Sequence, residues 1–167
     1  MTNIRRYYKK GNVYFLTHVT YKRAPLLVDH NDLVWQAIER ISQTSSFDLS
    51  AWVILPDHMH LLIDPGDEDL SLLMRRVKLS FSGLYRGRVG LYGGRVWQNR
   101  YWDHVIRDRD DMNRHIDYIH YNPVKHDLVG DPFQWKYSSI HDYYERGYYA
   151  RGWGISREMD FVGEFGE

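Results

Sequence analysis

Hydrophobic and polar positions follow two rhythms along this chain. Residues 12–21 are β-branched and aromatic, Asn-Val-Tyr-Phe-Leu-Thr-His-Val-Thr-Tyr, and predict a strand. Residues 31–43 place Leu33, Ile38 and Ile41 at helical spacing, with Asn31 or Asp32 as cap. Residues 48–55 and 58–64 predict two further strands, and the short Pro56-Asp57 link between them predicts a hairpin. Leu70, Leu73, Val77, Phe81 and Leu84 recur at helical spacing over 70–86, behind a polar turn whose Asp67–Asp69 segment can cap the helix. A fourth strand is predicted over 102–107 and a helix over 109–121. That helix is expected to stop at Asn122-Pro123, because the residue before proline is disfavoured in the helical region. A short helix is expected near 138–146. The order β-α-β-β-α-β-α predicts an α+β fold: a ferredoxin-like antiparallel sheet with helices on one side, plus an added helix.

Size and composition narrow the class. With 167 residues, 43% hydrophobic and 26% charged, the chain is read as one soluble globular domain over 1–148, followed by a loosely ordered acidic tail over 149–167. No apolar run approaches the ~20 residues of a membrane span, and the opening Met-Thr-Asn-Ile-Arg-Arg leads into no apolar signal segment. With no cysteine, disulfides, thiolate metal sites and cysteine nucleophiles are excluded, and a cytoplasmic location is expected. Any metal must be held by His, Asp, Glu or Asn.

The formal net charge is zero, but its distribution is uneven. Residues 1–23 hold Arg5, Arg6, Lys9, Lys10, Lys22 and Arg23 without an acid; residues 70–102 hold Arg75, Arg76, Lys78, Arg86, Arg88, Arg95 and Arg100, also without one. A polyanion responds to such local fields rather than to the sum. Tyr7, Tyr8, Tyr85, Trp97, Tyr101 and Trp102 lie among these cations and offer faces on which unpaired bases stack. Two solvated faces and ordinary core aromatics would give the same pattern.

Two short segments carry candidate chemistry. In Pro56-Asp57-His58-Met59-His60, strand geometry puts His58 and His60 on one face and Met59 on the other, so two imidazoles can chelate one divalent ion. His-x-His alone also describes two strand histidines that are simply hydrogen-bonded. In the helix over 109–121, Met112, Ile116 and Ile119 form an apolar stripe, and His115, Tyr118 and Asn122 lie beside it at +3, +4 and +7 spacings. By itself this also fits a satisfied tyrosine and a helix-ending asparagine. Combined, the two segments describe a phosphodiester site. A metal on two His and an Asn oxygen would offset phosphate charge, and a phenol, with a pKa near ~10, would attack to give a covalent phosphotyrosine.

At these residues the chain resembles a known family. His58-Met59-His60, within Val53-Ile54-Leu55-Pro56-Asp57-His58-Met59-His60-Leu61-Leu62, resembles the HUH motif of the single-tyrosine HUH transposases. Three further blocks resemble the REP-associated tyrosine transposases: Tyr118-Ile119-His120-Tyr121-Asn122-Pro123-Val124-Lys125, the stretch from Trp97 to Arg107, and Arg5-Arg6-Tyr7-Tyr8. Four blocks in order, spanning about 4–146, make the resemblance specific. It departs at Asp127, where relatives carry Gly or a small residue, which puts the local turn geometry in question.

The resemblance implies an HUH palm fold with Tyr118 as the nucleophile that forms a 5′-phosphotyrosine and frees a 3′-hydroxyl. It implies His58, His60 and Asn122 as ligands of Mg²⁺ or Mn²⁺. It implies, as partner, single-stranded DNA bearing a repetitive extragenic palindrome (REP) hairpin beside a short guide tetranucleotide, handled by a monomer. The expected DNA contacts are Arg5, Arg6, Tyr7, Tyr8 and Lys9 on the N-terminal arm, Arg75, Arg76, Lys78 and Arg86 on the helix over 70–86, and Trp97, Arg100 and Trp102. Two other readings stand beside this one: a domesticated, catalytically silent hairpin-binding protein, and a metallohydrolase that activates water and uses Tyr118 only structurally.

Overall fold

A computed structural model describes residues 11–155, 159–161, 163 and 165–166. Four strands, β1 (Tyr14–Val19), β2 (Asp48–Ile54), β3 (His58–Asp64) and β4 (Trp102–Val105), form one antiparallel sheet in the order β2-β3-β1-β4. This is the strand order of a ferredoxin-like sheet. Pro56 and Asp57 link β2 to β3 as a hairpin, and β3 lies centrally because both of its faces are buried.

Alternation along β3 sets the layers. Met59, Leu61 and Ile63 point to one face, where α1 (Asn31–Ser42) and α2 (Leu70–Val89) cover them with Leu33, Val34, Leu73 and Val77. His58, His60 and Leu62 point to the other. There α3 (Arg109–Lys125) packs Tyr118 and Ile119 against Phe15, Val53 and Leu62. The helices therefore do not all lie on one side: α1 and α2 share a face, and α3 takes the opposite one. The cause is the sheet itself, which is apolar on both faces and needs cover on both.

Helix ends differ from expectation in instructive ways. His30, not Asn31 or Asp32, is the residue before α1, and its side chain makes no cap hydrogen bond. Asp69 caps α2 by accepting from the Leu72 amide at 2.8 Å. That helix runs past 86, through Gly83 and Gly87, to Gly90, whose φ of 72° permits a left-handed C-cap. Arg88 near its end donates to both Asp32 carboxylate oxygens, at 2.8 and 2.6 Å, tying α2 to α1. The helix α3 does not stop at Asn122 but continues through Pro123 to Lys125. A proline inside a helix costs roughly 3 kcal/mol. Here Asn122 and Pro123 are buried, and the His126 amide donates to the Asn122 carbonyl at 3.0 Å to close the final turn. A six-residue helix, α4 (Ile140–Glu145), follows. No helix among the described residues is long and apolar enough to cross a membrane.

Candidate active site

The His-bearing face of β3 is a composite of three strands and one helix. In the register, Thr17 of β1 stands opposite His60 and Val19 opposite His58, while Trp102 of β4 stands opposite Thr17. The His58 and His60 rings lie 5.1 Å apart, centroid to centroid. The Tyr118 ring meets His60 at 5.4 Å, and the His126 ring meets His58 at 4.9 Å. Asn122 lies one helical turn from each of Tyr118 and His126 and is fully buried, so α3 carries it between those two contacts. Tyr118, His58 and His60 thus come together, with Asn122 buried one turn further along the tyrosine helix.

Hydrogen bonds orient both imidazoles. Thr17 Oγ1 donates to the Phe165 carbonyl at 2.6 Å, so at 2.9 Å it accepts from His60 Nδ1. His58 Nδ1 lies 2.7 Å from Asp57 Oδ1 and donates to it. An Nδ1 tied to an acceptor in this way turns Nε2 of each ring toward the site, the nitrogen with which such an imidazole binds a metal. Burial raises the Asp57 carboxyl pKa, but the hydrogen bonds from His58 and Arg23 outweigh it and hold the group below its ordinary value. The donor set of two imidazoles and one amide oxygen fits a divalent cation that also takes oxygen from a phosphate.

The segment beyond 148 forms part of the wall. Phe165 stacks on Tyr118 with ring centroids 3.7 Å apart and planes 10° from parallel, and Phe161 meets the same ring edge-on at 5.4 Å. Gly166 adopts a φ of 72° against Trp102, and a Cβ there would collide with the indole. Tyr118 is consequently only 1% exposed. A cavity beside it is lined by Trp102, Tyr118, Lys125, Phe161, Phe165 and Gly166. The root of the segment is anchored as well. Tyr149 donates to Asp117 at 2.9 Å and accepts from His120 Nδ1 at 2.8 Å, and His120 Nε2 lies 2.8 Å from the Ser139 hydroxyl. Burial pushes the His120 pKa down to about 3 and raises that of Tyr149, so both stay neutral. The tail read as loosely held therefore has described residues bonded on either side of the nucleophile in sequence and stacked over it.

A second cluster lies at the start of α3. Ligand-type atoms of His104, Asp111 and His115 lie within 4.8 Å of one another. The Asp111 carboxylate is already committed: it accepts from His104 Nε2 at 2.8 Å, from the Arg107 amide and side chain at 3.0 and 3.2 Å, and from Arg114 at 3.2 Å. Burial raises its pKa, but hydrogen bonds from Arg107 and His104 more than offset that and hold it well below the ordinary carboxylate range. A cation would have to displace two guanidinium groups, so the cluster acts as a clasp between β4 and α3.

The remaining candidates are placed as follows. Arg5, Arg6, Tyr7, Tyr8 and Lys9 lie outside the described residues. Arg75 and Arg100 are exposed. Arg76 donates to the Ser45 and Thr44 hydroxyls at 2.7 and 2.6 Å, and Arg86 donates to the Gly94 carbonyl. Lys78 lies over the Trp97 and Tyr101 rings at 5.9 and 5.8 Å. These α2 cations belong to the sheet face away from Tyr118. Trp97 is a core residue, 6% exposed and packed on Phe81, and does not present a face for stacking. Trp102 is half-buried and joins the site. Sequence reasoning missed Thr17, which is 43 residues from His60, and the Phe161–Phe165 cover; neither has a local signal. It also gave no role to Asp57 or Lys125, although both stood inside quoted motifs.

Comparison with known proteins identifies the family. Residues 8–122 match the family described as "Transposase IS200 like". The chain is 36% identical over 156 residues to the REP-associated tyrosine transposase of Escherichia coli (strain K12), covering 92% of this chain and 91% of that relative. A solved structure of a REP-associated tyrosine transposase bound to a REP hairpin superposes with a TM-score of 0.83 at 35% identity, covering 100% of this chain and 98% of the other. The chain belongs to the IS200-like transposase family, among its REP-associated tyrosine transposases.

Proposed function

We propose that the protein cleaves and rejoins single-stranded DNA at REP hairpins, with Tyr118 as nucleophile and a divalent metal, Mg²⁺ or Mn²⁺, held by His58, His60 and Asn122. The observation that carries this reading is the contact of the Tyr118 ring with His60, which puts phenol and metal-type donors in one buried site. The metal, when bound, would polarise a phosphate oxygen and offset charge in the transition state. The chain's own residues do the rest. Thr17 and Asp57 hold the two imidazoles in the tautomer that presents Nε2. Docking of α3 on β3 brings the Tyr118 ring against His60, 5.4 Å between centroids. Attack by Tyr118 Oη on the phosphorus breaks the P–O3′ bond, leaving the 5′-phosphate on the tyrosine and a free 3′-hydroxyl. The bond is conserved as a phosphotyrosine, so the strand can be rejoined to another 3′ end. Partners in this reading are a hairpin and an adjacent guide tetranucleotide, bound by a monomer. The solved relative named for a REP hairpin supports the DNA class.

A catalytically silent hairpin-binding protein is the second reading, favoured by one observation: Phe165 lies flat on the proposed nucleophile. One experiment separates the two. The parent chain and Tyr118→Phe are incubated with a labelled single-stranded REP hairpin and Mn²⁺, and covalent adduct is measured on a denaturing gel. Adduct from the parent and none from the variant supports the enzyme. Absence of adduct from the parent under any metal contradicts it. Hydrolysis without adduct, undiminished in Tyr118→Phe, would point to a water-activating hydrolase.

A further inference from the structure

We infer that Lys125 is a second catalytic residue, the cation that stabilises charge on the Tyr118 oxygen when strands are cut and when they are rejoined; this rests on the phosphotyrosine reading above. Lys125 lies seven residues beyond Tyr118, two turns along α3, and so on the same helix face. Its Nζ donates to Tyr118 Oη at 3.4 Å and stands 5.4 Å from the centre of the same ring. The hydrogen bond is long, as such bonds often are before substrate draws a site together. Lys125 also lines the cavity beside Tyr118, where a phosphate would enter. Several arginines are engaged elsewhere: Arg107 and Arg114 hold Asp111, Arg23 holds Asp57, and Arg76 holds the hydroxyls of Thr44 and Ser45.

The chemistry gives this ammonium a place in both directions. In cleavage the Oη–P bond forms and the P–O3′ bond breaks. The phenolic proton passes to water, and the departing 3′ oxygen takes one from water. In rejoining a 3′-hydroxyl attacks the phosphorus and gives up its proton to water, the P–Oη bond breaks, and the tyrosine oxygen leaves with negative charge before regaining a proton from water. Lys125 keeps its own protons throughout and acts as a fixed donor at the oxygen whose charge changes. Donors placed at a developing oxyanion are worth about 10²–10³ in rate.

The test uses the full chain with K125Q and K125R variants, Mn²⁺, and a single-stranded REP hairpin oligonucleotide. Adduct formation is timed at saturating DNA. Rejoining is timed by adding a 3′-hydroxyl strand to purified adduct, and affinity is measured separately by fluorescence anisotropy. We expect K125Q to slow both cleavage and rejoining by about 10²-fold, with an unchanged melting temperature and little change in affinity. K125R, which keeps the charge, should recover most of the rate. A K125Q chain that cuts at the parent rate once saturated, with only affinity reduced, makes Lys125 a DNA-backbone contact and overturns the inference. So does a K125Q chain that fails to fold, which would make the residue structural. Failure of the parent to form adduct would instead overturn the proposed function itself.

Discussion

The two faces of β3 do different work. Met59, Leu61 and Ile63 are closed over by α1 and α2 within the larger apolar cluster, and the fold is held there. His58 and His60, alternating with them along the strand, face polar orienting groups, the tyrosine helix and a wall of aromatic rings. Both faces are buried, so burial alone does not separate scaffold from site. The distinction lies in what each side chain meets. Methyl groups meeting methyl groups contribute by excluded water and packing. Imidazoles whose Nδ1 protons are tied down present a nitrogen lone pair, an arrangement that stabilises the fold little and suits a ligand well.

Neighbouring substitutions should therefore separate activity from stability. His60→Ala is expected to abolish metal-dependent adduct, the largest effect, while losing the Thr17 hydrogen bond, worth about 1 kcal/mol, together with the packing of a buried ring. Met59→Ala, one residue away, should leave the site chemistry present but cost about 2–5 kcal/mol of stability, read as a lowered urea midpoint. If Met59→Ala loses activity while remaining as stable as the parent, the division between faces is wrong. A smaller effect is expected at the cover. An offset aromatic pair is worth about 0.5–1.5 kcal/mol. Phe165→Ala should therefore speed adduct formation about two- to tenfold by exposing Tyr118. A slower rate would make Phe165 part of the productive site rather than an obstruction.

The clasp at the start of α3 predicts a pH effect. The Asp111 carboxyl is held below its ordinary value in the fold, so its contribution to stability is fully present above the ordinary carboxylate pKa near ~4. It is lost as pH falls toward and through the lower folded value. Melting temperatures followed from pH 7 to pH 2 should show a shallower acid decline in Asp111→Asn than in the parent, from a lower plateau at neutral pH. Matching slopes would remove Asp111 from the account of how α3 is held on β4.

The smallest effect concerns the turn after α3. Asp127 has a φ of 56°, the left-handed region in which glycine is unstrained. The fold keeps at Asp127 the turn that a glycine there would favour. Asp127→Gly should change stability by less than about 1 kcal/mol, toward the stable side, because relief of backbone strain is partly offset by the freer unfolded chain.

Much of this was legible in the sequence because its signals were short in range. His58 and His60 share a face by strand alternation, and Tyr118 and Asn122 share one by helical spacing; neither needs tertiary knowledge. The strand order follows from the element order. The side of the sheet taken by α3 was readable in principle, since a helix meant to reach His58 and His60 cannot lie where Met59 and Leu61 point. The end of α3 was misjudged because local proline preference was outweighed by burial of Asn122 and Pro123. Trp97 sits among cations in sequence yet fills the core, because neighbours along the chain do not report which way a ring turns. Thr17 to His60 and Phe165 to Tyr118 are contacts across the whole chain, and no window of sequence contains them.

The most direct test is to locate the covalent bond. Adduct formed from the parent chain, a single-stranded REP hairpin and Mn²⁺ would be digested with trypsin and the DNA-linked peptide sequenced by mass spectrometry. The chain has 14 tyrosines. The account predicts a 5′-phosphate on Tyr118 of the peptide His115–Lys125 and not on Tyr121, which the same peptide carries. A linkage at a different tyrosine, or cleaved DNA with no linked peptide, would contradict it.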